Sequence, residues 1–327
     1  MTLTCQSQRR RLLLPALLLA PLAAGAQTAP ADGRVIRVVV PWNAGGGTDV
    51  ATRAIVTALT GTLQQQVVVE NKPGANGMIG TESVAHARPD GLTLGIASVE
   101  THSVNPHVYR KLPYRPIDDF TPVAMLCEFP YALVVRQSLD VKDLAGVAAA
   151  ARARPGVMTF ASWGVGSSSQ IAFELLRQTA KLDMLHVPFT GAAPALQAVV
   201  AGQVDAVMVP LSIAEPQWRA GKARLLGLGS TRRAAITPEL PTLIEQGVDA
   251  VGGTWLAMVG PAGIPAATVE RLNKAVNAAL ATAELRQTLE RMGVQPQTGT
   301  PAALGETLRT ELTRWGTVVK TAGISLD

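Results

Sequence analysis

One arrangement occurs twice in this chain and restricts its fold more than any other feature. A short apolar run leads into a glycine-bearing loop, and the loop leads into residues at helical spacing. In the first copy, residues 34–40 (RVIRVVV) are a β-branched run ended by Pro41, the pattern of a buried strand. Trp42-Asn43-Ala44-Gly45-Gly46-Gly47-Thr48-Asp49 is the loop, and Val50, Ala54, Ile55, Ala58 and Leu59 then share one helical face. Thr48 or Asp49 is the natural N-cap, and Gly61 closes the helix. In the second copy, residues 158–161 are the strand and 162–169 (SWGVGSSS) the loop. Ile171, Ala172, Leu175, Leu176 and Thr179 mark the helix that follows.

The same grammar continues around each copy. Strands over 67–70 and 92–97 flank a helix over 79–87. Strands over 131–136, 185–188, 204–209 and 223–228 accompany helices over 141–153 and 194–202. Alternating strand and helix predicts parallel sheets and an α/β class. Residues 252–260 form a late strand, followed by helical stripes at 269–280, 285–292 and 304–315 that need a sheet to cover. The strand is expected to return to the first sheet. The expected architecture is therefore two α/β lobes with a central ligand cleft: lobe 1 from residues 27–128 and 253–327, lobe 2 from 129–252.

Residues 9–26 (RRRLLLPALLLAPLAAGA) place a basic patch before a short apolar run and small residues. This is the order of a secretory signal, with cleavage after Ala26, and the run is shorter than the ~20 residues of a membrane span. Residues 1–26 are therefore expected to be a signal peptide and the protein to be periplasmic. The formal charge of +5 shrinks once they go: the rest holds 26 basic and 24 acidic residues without a long like-charged run. That balance gives no footprint for nucleic acid. Cys5 lies in the removed segment, which leaves Cys127 alone and excludes an internal disulfide.

Loop 43–49 joins a strand to a helix N-terminus. Its glycines leave backbone N–H groups uncovered, and the first helical N–H groups have no partner inside the helix. Together with the partial positive charge of the helix end, they suit a carboxylate or phosphate. Loop 162–169 has the same design, with Gly164, Gly166 and three serines. Ligands of open α/β sheets bind beyond the carboxyl ends of strands, so two such loops facing each other would hold a small anion from both sides. Trp42 and Trp163 occupy corresponding positions and could wall the cleft, whereas Trp315 suits a core.

Catalytic templates fit poorly. The sequence has no HExxH, no G-x-S-x-G and no P-loop. His86, His102, His107 and His186 show no metal-ligand spacing, His186 reads as a core residue, and Cys127 reads as a packed hydrophobe. No catalytic residue, metal or cofactor is assigned. A serine nucleophile among Ser167, Ser168 and Ser169 would need a base that the local sequence does not supply.

The segments PWNAGGGTD (41–49), VVENKPGANGMIG (68–80), PDG (89–91), FTGAAPAL (189–196), GQVD (202–205), ELPTL (239–243) and GPAGIP (260–265) together closely resemble the solute receptors of tripartite tricarboxylate transporters, the Bug family. The likeness covers nearly the whole chain after the leader. It implies a type II periplasmic binding fold and a monomeric, non-enzymatic receptor for a small organic acid, which is passed to membrane permease subunits. Carried onto this chain, the first-lobe contacts are Trp42, Asn43, Gly46, Gly47, Thr48 and Asp49, with Ser98 at a strand end. The second-lobe contacts are Ser162, Gly166, Ser167, Ser168 and Thr190, with Asp205 added. Asp49 is chiefly a helix cap that could also receive a ligand ammonium group.

The chain departs from the family pattern at three places. Gln170 stands where His often follows the serines, Thr190 where Lys is common, and Asn43-Ala44 where Ala-Pro is common. These changes remove positive charge from the cleft and point away from polycarboxylates, toward a monocarboxylate, an aromatic acid or a neutral amide. Two other readings stay open from sequence: an exported serine hydrolase, and a sensor that presents its ligand to a membrane signalling partner.

Overall fold

The computed structural model describes residues 1–2 and 33–326; the expected signal peptide lies outside them, apart from its first two residues. The first strand, β1 (Ile36–Val40), leads into α1 (Gly47–Leu63), then β2 (Val67–Asn71), α2 (Met78–Ala85) and β3 (Thr93–Ser98). A π-helical turn, Glu100–Val104, runs into the short α3 (Asn105–Val108). The long β4 (Phe120–Arg136) is followed by α4 (Leu144–Ala153), β5 (Thr159–Ser162), α5 (Ser168–Ala180), β6 (Leu185–Pro188) and α6 (Ala192–Val200). Then come β7 (Ala206–Pro210), α7 (Leu211–Arg219), β8 (Ala223–Leu228) and β9 (Gly253–Pro261). The chain ends with α8 (Ala266–Ala281), α9 (Ala283–Arg291), β10 (Gln295–Pro296) and α10 (Pro301–Ala322).

β1 pairs in parallel with β2 and β3, and β5 pairs in parallel with β6 and β7, as alternating strand and helix require. β9 returns to the first set of strands as expected, lying antiparallel between β3 and β4. The sequence-based strand over 131–136 is only the second half of β4. Its first half, Phe120 to Pro130, pairs with β9. From Tyr131 onward the same strand pairs with β7 and β8 instead. Pro122 and Pro130 cannot donate to a ladder; the register slips at Pro122/Ala124, and the partner changes after Pro130. One continuous strand thus joins the two sets.

Both faces of the sheet carry helices. Ile55 and Leu59 of α1, Leu272 and Val276 of α8, and Leu126 and Leu133 of β4 are fully buried in one core. Leu304, Leu308 and Trp315 of α10 fill another with Val99 and Val104. Trp315 is 1% exposed, a core residue as its sequence context indicated. Cys127 is buried and unpaired, and burial pushes its thiol pKa upward.

His102 lies in the π-helical turn and is fully buried against Phe120, 4.7 Å between ring centroids. Its Nδ1 meets Thr101 Oγ1 at 2.9 Å, while its Nε2 has no partner among the described residues. Burial lowers its pKa to about 3. The folded protein therefore holds this imidazole neutral where the unfolded chain, with a pKa of ~6.5, takes up a proton. Acidification below pH ~6.5 should cost stability at about 1.4 kcal/mol per pH unit from this group. Urea unfolding between pH 7 and pH 4 should show that slope in the wild type and a shallower one in His102→Gln.

Candidate ligand-binding site

Helix α1 begins at Gly47, and the residue before it, Gly46, is extended and provides no side-chain cap. The expected cap at Thr48 or Asp49 therefore shifts: both residues lie inside the first turn. Asp49 instead reaches back. One carboxylate oxygen accepts the Gly45 N–H at 2.9 Å and Arg53 Nε at 2.9 Å, and the other accepts Asn71 Nδ2 at 2.8 Å. Burial alone raises the Asp49 pKa, but these hydrogen bonds and the Arg53 charge outweigh it and hold the carboxyl at about 2. Gly45 has a φ of +82°, a conformation that a side chain would resist. The buried carboxylate thus fixes a loop whose residues 43–47 are exposed, and the first N–H groups of α1 are open for a ligand. Trp42, half-buried, anchors the loop's start by accepting Asn71 Nδ2 on its carbonyl at 3.0 Å.

The second loop is built similarly but is capped. Ser167 is the N-cap of α5 and accepts the Gln170 N–H; its own hydroxyl donates to Gly164 O at 2.6 Å. Gly166 has a φ of +74° and gives its N–H to Gln170 Oε1 at 2.8 Å. Gln170 thus holds the loop from inside. Ser168 Oγ shares a 2.8 Å hydrogen bond with Tyr131 OH, and Trp163 meets the Tyr131 ring edge-on at 5.5 Å. Thr190 is exposed and follows Phe189, whose N–H donates to Ser162 O at 2.9 Å.

Strand β4 connects the two loops. A Cβ on Gly47 would stand 3.6 Å from Phe129 Cε1, and Tyr131, two residues along β4, holds Ser168. Ser98 ends β3 beside Leu256 of β9. Its hydroxyl donates to Glu100 Oε2 at 2.8 Å, and Thr254 Oγ1 donates to the same oxygen at 3.2 Å. Phe129, Tyr131, Glu100 and Thr254 were not singled out from the sequence.

Asp205 stands apart. It precedes β7, whose other end, Pro210, pairs with Tyr131. Its carboxylate accepts Arg136 Nε at 2.8 Å and the Thr159 N–H at 2.8 Å, at the opening end of β5. Ser162 closes that strand, about 10 Å away at ~3.3 Å per residue. Burial raises the Asp205 pKa, and these partners more than offset it, so the net direction is down. Asp205 therefore acts on the fold. Asp205→Asn should leave ligand affinity unchanged within about twofold and lower stability by about 1–2 kcal/mol, read by calorimetric titration and urea unfolding.

The serines offer no nucleophile–base pair. Ser169 donates to Met208 O at 2.6 Å, and Ser167 and Ser168 are engaged as above. A histidine does meet a serine elsewhere: His186 Nε2 lies 2.6 Å from Ser162 Oγ. That hydroxyl also lies 3.0 Å from Gly164 O and accepts the Gly164 N–H at 3.2 Å, so the pair is tied into the turn of the loop itself. His186, expected as a satisfied core residue, is half-buried and satisfied by this bond. Among the described residues, no group of His, Cys, Asp and Glu could hold a metal, and no helix is long and apolar enough to cross a membrane. A cavity of about 500 Å³ opens between β4, β9 and α10, lined by Phe129 and Thr254 together with Glu128, Trp255, Glu311 and Arg314 among others. It contains none of the sequence-derived site residues.

Residues 51–324 match the family described as "Tripartite tricarboxylate transporter family receptor". The chain is 32% identical over 305 residues to Protein BugT of Bordetella pertussis, covering 92% of each. Among solved structures it is similar to "R. palustris Rpa4515 with adipate", with a TM-score of 0.78 at 32% identity over 90% of this chain and 99% of that one. It is also similar to "MatC (Rpa3494) from Rhodopseudomonas palustris with bound malate", with a TM-score of 0.73 at 36% identity over 88% and 99%.

Proposed function

This chain belongs to the tripartite tricarboxylate transporter receptor family, and from that premise we propose that it captures a small carboxylate between loops 43–49 and 162–169. It is a solute receptor of the periplasmic-binding fold and not an enzyme. Its product is a bound ligand, handed to the permease subunits of a tripartite membrane transporter. The contacts are Trp42, Asn43, Gly46, Gly47 and Thr48 from one lobe and Ser162, Gly166, Ser167, Ser168 and Thr190 from the other, with Ser98 at the crossing. Asp49 contributes by holding its loop. The lobes are residues 27–128 with 253–327, and residues 129–252. Residues 1–26 direct export and are removed, and the mature protein is a monomer.

One observation carries the reading. The crossing strand sets Phe129 against Gly47 and Tyr131 against Ser168, so the amide-rich starts of α1 and α5 converge on one stretch of backbone. The relatives in complex with adipate and malate support a carboxylate as the occupant. Calorimetric titration of the purified protein against a panel of mono-, di- and tricarboxylates and amino acids tests it. A ligand that binds N but not U stabilises by mass action, roughly 2.7 kcal/mol at a hundred times Kd, so a thermal-shift screen can rank the panel first. If no carboxylate in a broad panel binds, the reading fails.

A further inference from the structure

We propose that the C-terminal segment braces the second ligand loop from outside, with Leu326 as the positioning residue. The inference rests on the cleft described above and goes beyond it to what holds loop 162–169 in shape. The two loops differ in exposure. Residues 43–47 of the first are exposed, whereas residues 166–169 of the second are buried. Part of that cover comes from the far end of the chain. A Cβ on Gly166 would stand 2.8 Å from Leu326 Cδ1 and 3.3 Å from its Cγ, so the leucine occupies the space that a side chain at 166 would need. Gly166 is therefore glycine on two counts: its φ of +74° and the close approach of Leu326.

Leu326 is itself held. Its N–H donates at 2.9 Å to the carbonyl of Val108, the last residue of α3. Its half-buried side chain packs on the apolar cluster that contains Val108, Trp315, Val318 and Ile324. Ile171 of α5 is fully buried in that same cluster. Farther along α5, Gln178 donates from Nε2 to Val318 O at 3.3 Å. Helix α10 and the residues after it thus hold α5 along its side and, through Leu326, at the loop that leads into it.

The loop needs such support. Gly164 and Gly166 both have positive φ, +137° and +74°, and glycines in sequence so close give the unrestrained backbone many conformations to lose. Gln170 restrains the loop from inside, through the Gly166 N–H, and Leu326 restrains it from outside. A loop already in shape when a ligand arrives avoids most of the ordering cost of binding. The first loop gets its rigidity from Asp49 within its own unit. The second takes part of its rigidity from the opposite lobe.

Hydrogen exchange read by mass spectrometry on the purified, unliganded protein tests this. Leu326→Ala should speed exchange of residues 164–171 roughly tenfold, while residues 43–50 and strand β5 stay within about twofold of wild type. Leu326→Met keeps the bulk and should leave the loop within about twofold as well. Gly166→Ala should expel the leucine and loosen the loop, and adding Leu326→Ala to it should change little more, because both act through one contact. In calorimetric titration with the carboxylate panel, the tightest-binding member should lose about threefold to tenfold in affinity for Leu326→Ala and recover it in Leu326→Met. The brace is overturned if Leu326→Ala leaves loop exchange unmoved, if exchange rises equally throughout the protein, or if affinity holds or rises. Exchange needs no ligand, so a panel without a binder would remove the cleft reading, and the bracing of loop 162–169 would still be decided by exchange.

Discussion

Gly47→Val should abolish ligand binding while the protein stays folded. Gly47 is the first residue of α1 and is exposed. A Cβ there meets only Phe129 Cε1, at an ordinary contact distance of 3.6 Å. The substitution costs the fold little, since valine in a helix is worse than alanine by less than about 1 kcal/mol. Binding is affected differently. The γ-methyl groups cover the amides that would face the carboxylate. Losing two charge-assisted hydrogen bonds of about 1.5–3 kcal/mol each lowers affinity roughly a hundredfold or more. Micromolar binding needs only about 8 kcal/mol in all, so the loss removes binding at usable concentrations. Calorimetric titration alongside a thermal melt reads both halves of the expectation. Affinity within threefold of wild type would place the ligand away from this loop.

The second large effect is on stability. Asp49→Asn keeps the shape of the side chain and removes the charge from a group that is 2% exposed and accepts three donors. An amide can accept from some of them, but its own N–H groups then face donors. The expected cost is about 2–4 kcal/mol, a fall of roughly 3–6 °C in Tm for a chain of this size. The Gly45 turn loses its anchor, so binding should weaken as well. The effect has a defined pH window. The carboxyl is held at about 2 in the folded protein and titrates near ~3.9 when unfolded. A lowered carboxyl pKa stabilises in full above the unfolded value and loses its contribution as pH falls through the folded one. The gap between wild type and Asp49→Asn should therefore be constant above pH ~4 and shrink toward pH ~2. A gap that persists at pH 2 would assign the effect to packing.

The two strand–loop–helix units were legible because everything that defines them is local. The β-branched run before Pro41, the glycines, and the apolar spacing after Val50 fall within a few turns of chain. The first half of β4 was not legible: FTPVAMLCEFP contains two prolines and a glutamate, and what makes it a strand is β9, more than a hundred residues later in the sequence. Helix α7 was missed because Pro216 lies inside it, and proline argues against a helix interior. The cap of α1 was misplaced by two to three residues, since an aspartate that accepts a preceding glycine N–H resembles one that caps. The pairing of His186 with Ser162 follows from the parallel register of β5 and β6, and the joining of Ser98 to Thr254 through Glu100 follows from β9 lying beside β3. No spacing in one dimension announces either.

The position of β9 between β3 and β4 also governs when this molecule can fold. During synthesis β3 and β4 emerge early, yet neither can complete its ladder on that side until residues 253–261 have left the ribosome. Until then the nascent polypeptide carries two unsatisfied inner edges and must close a long-range contact to finish its first sheet, a slow step in topologies of high contact order. A chain so ordered delays its own collapse. That delay leaves it threadable for longer, and leaves any product truncated before residue 253 open to edge-to-edge association.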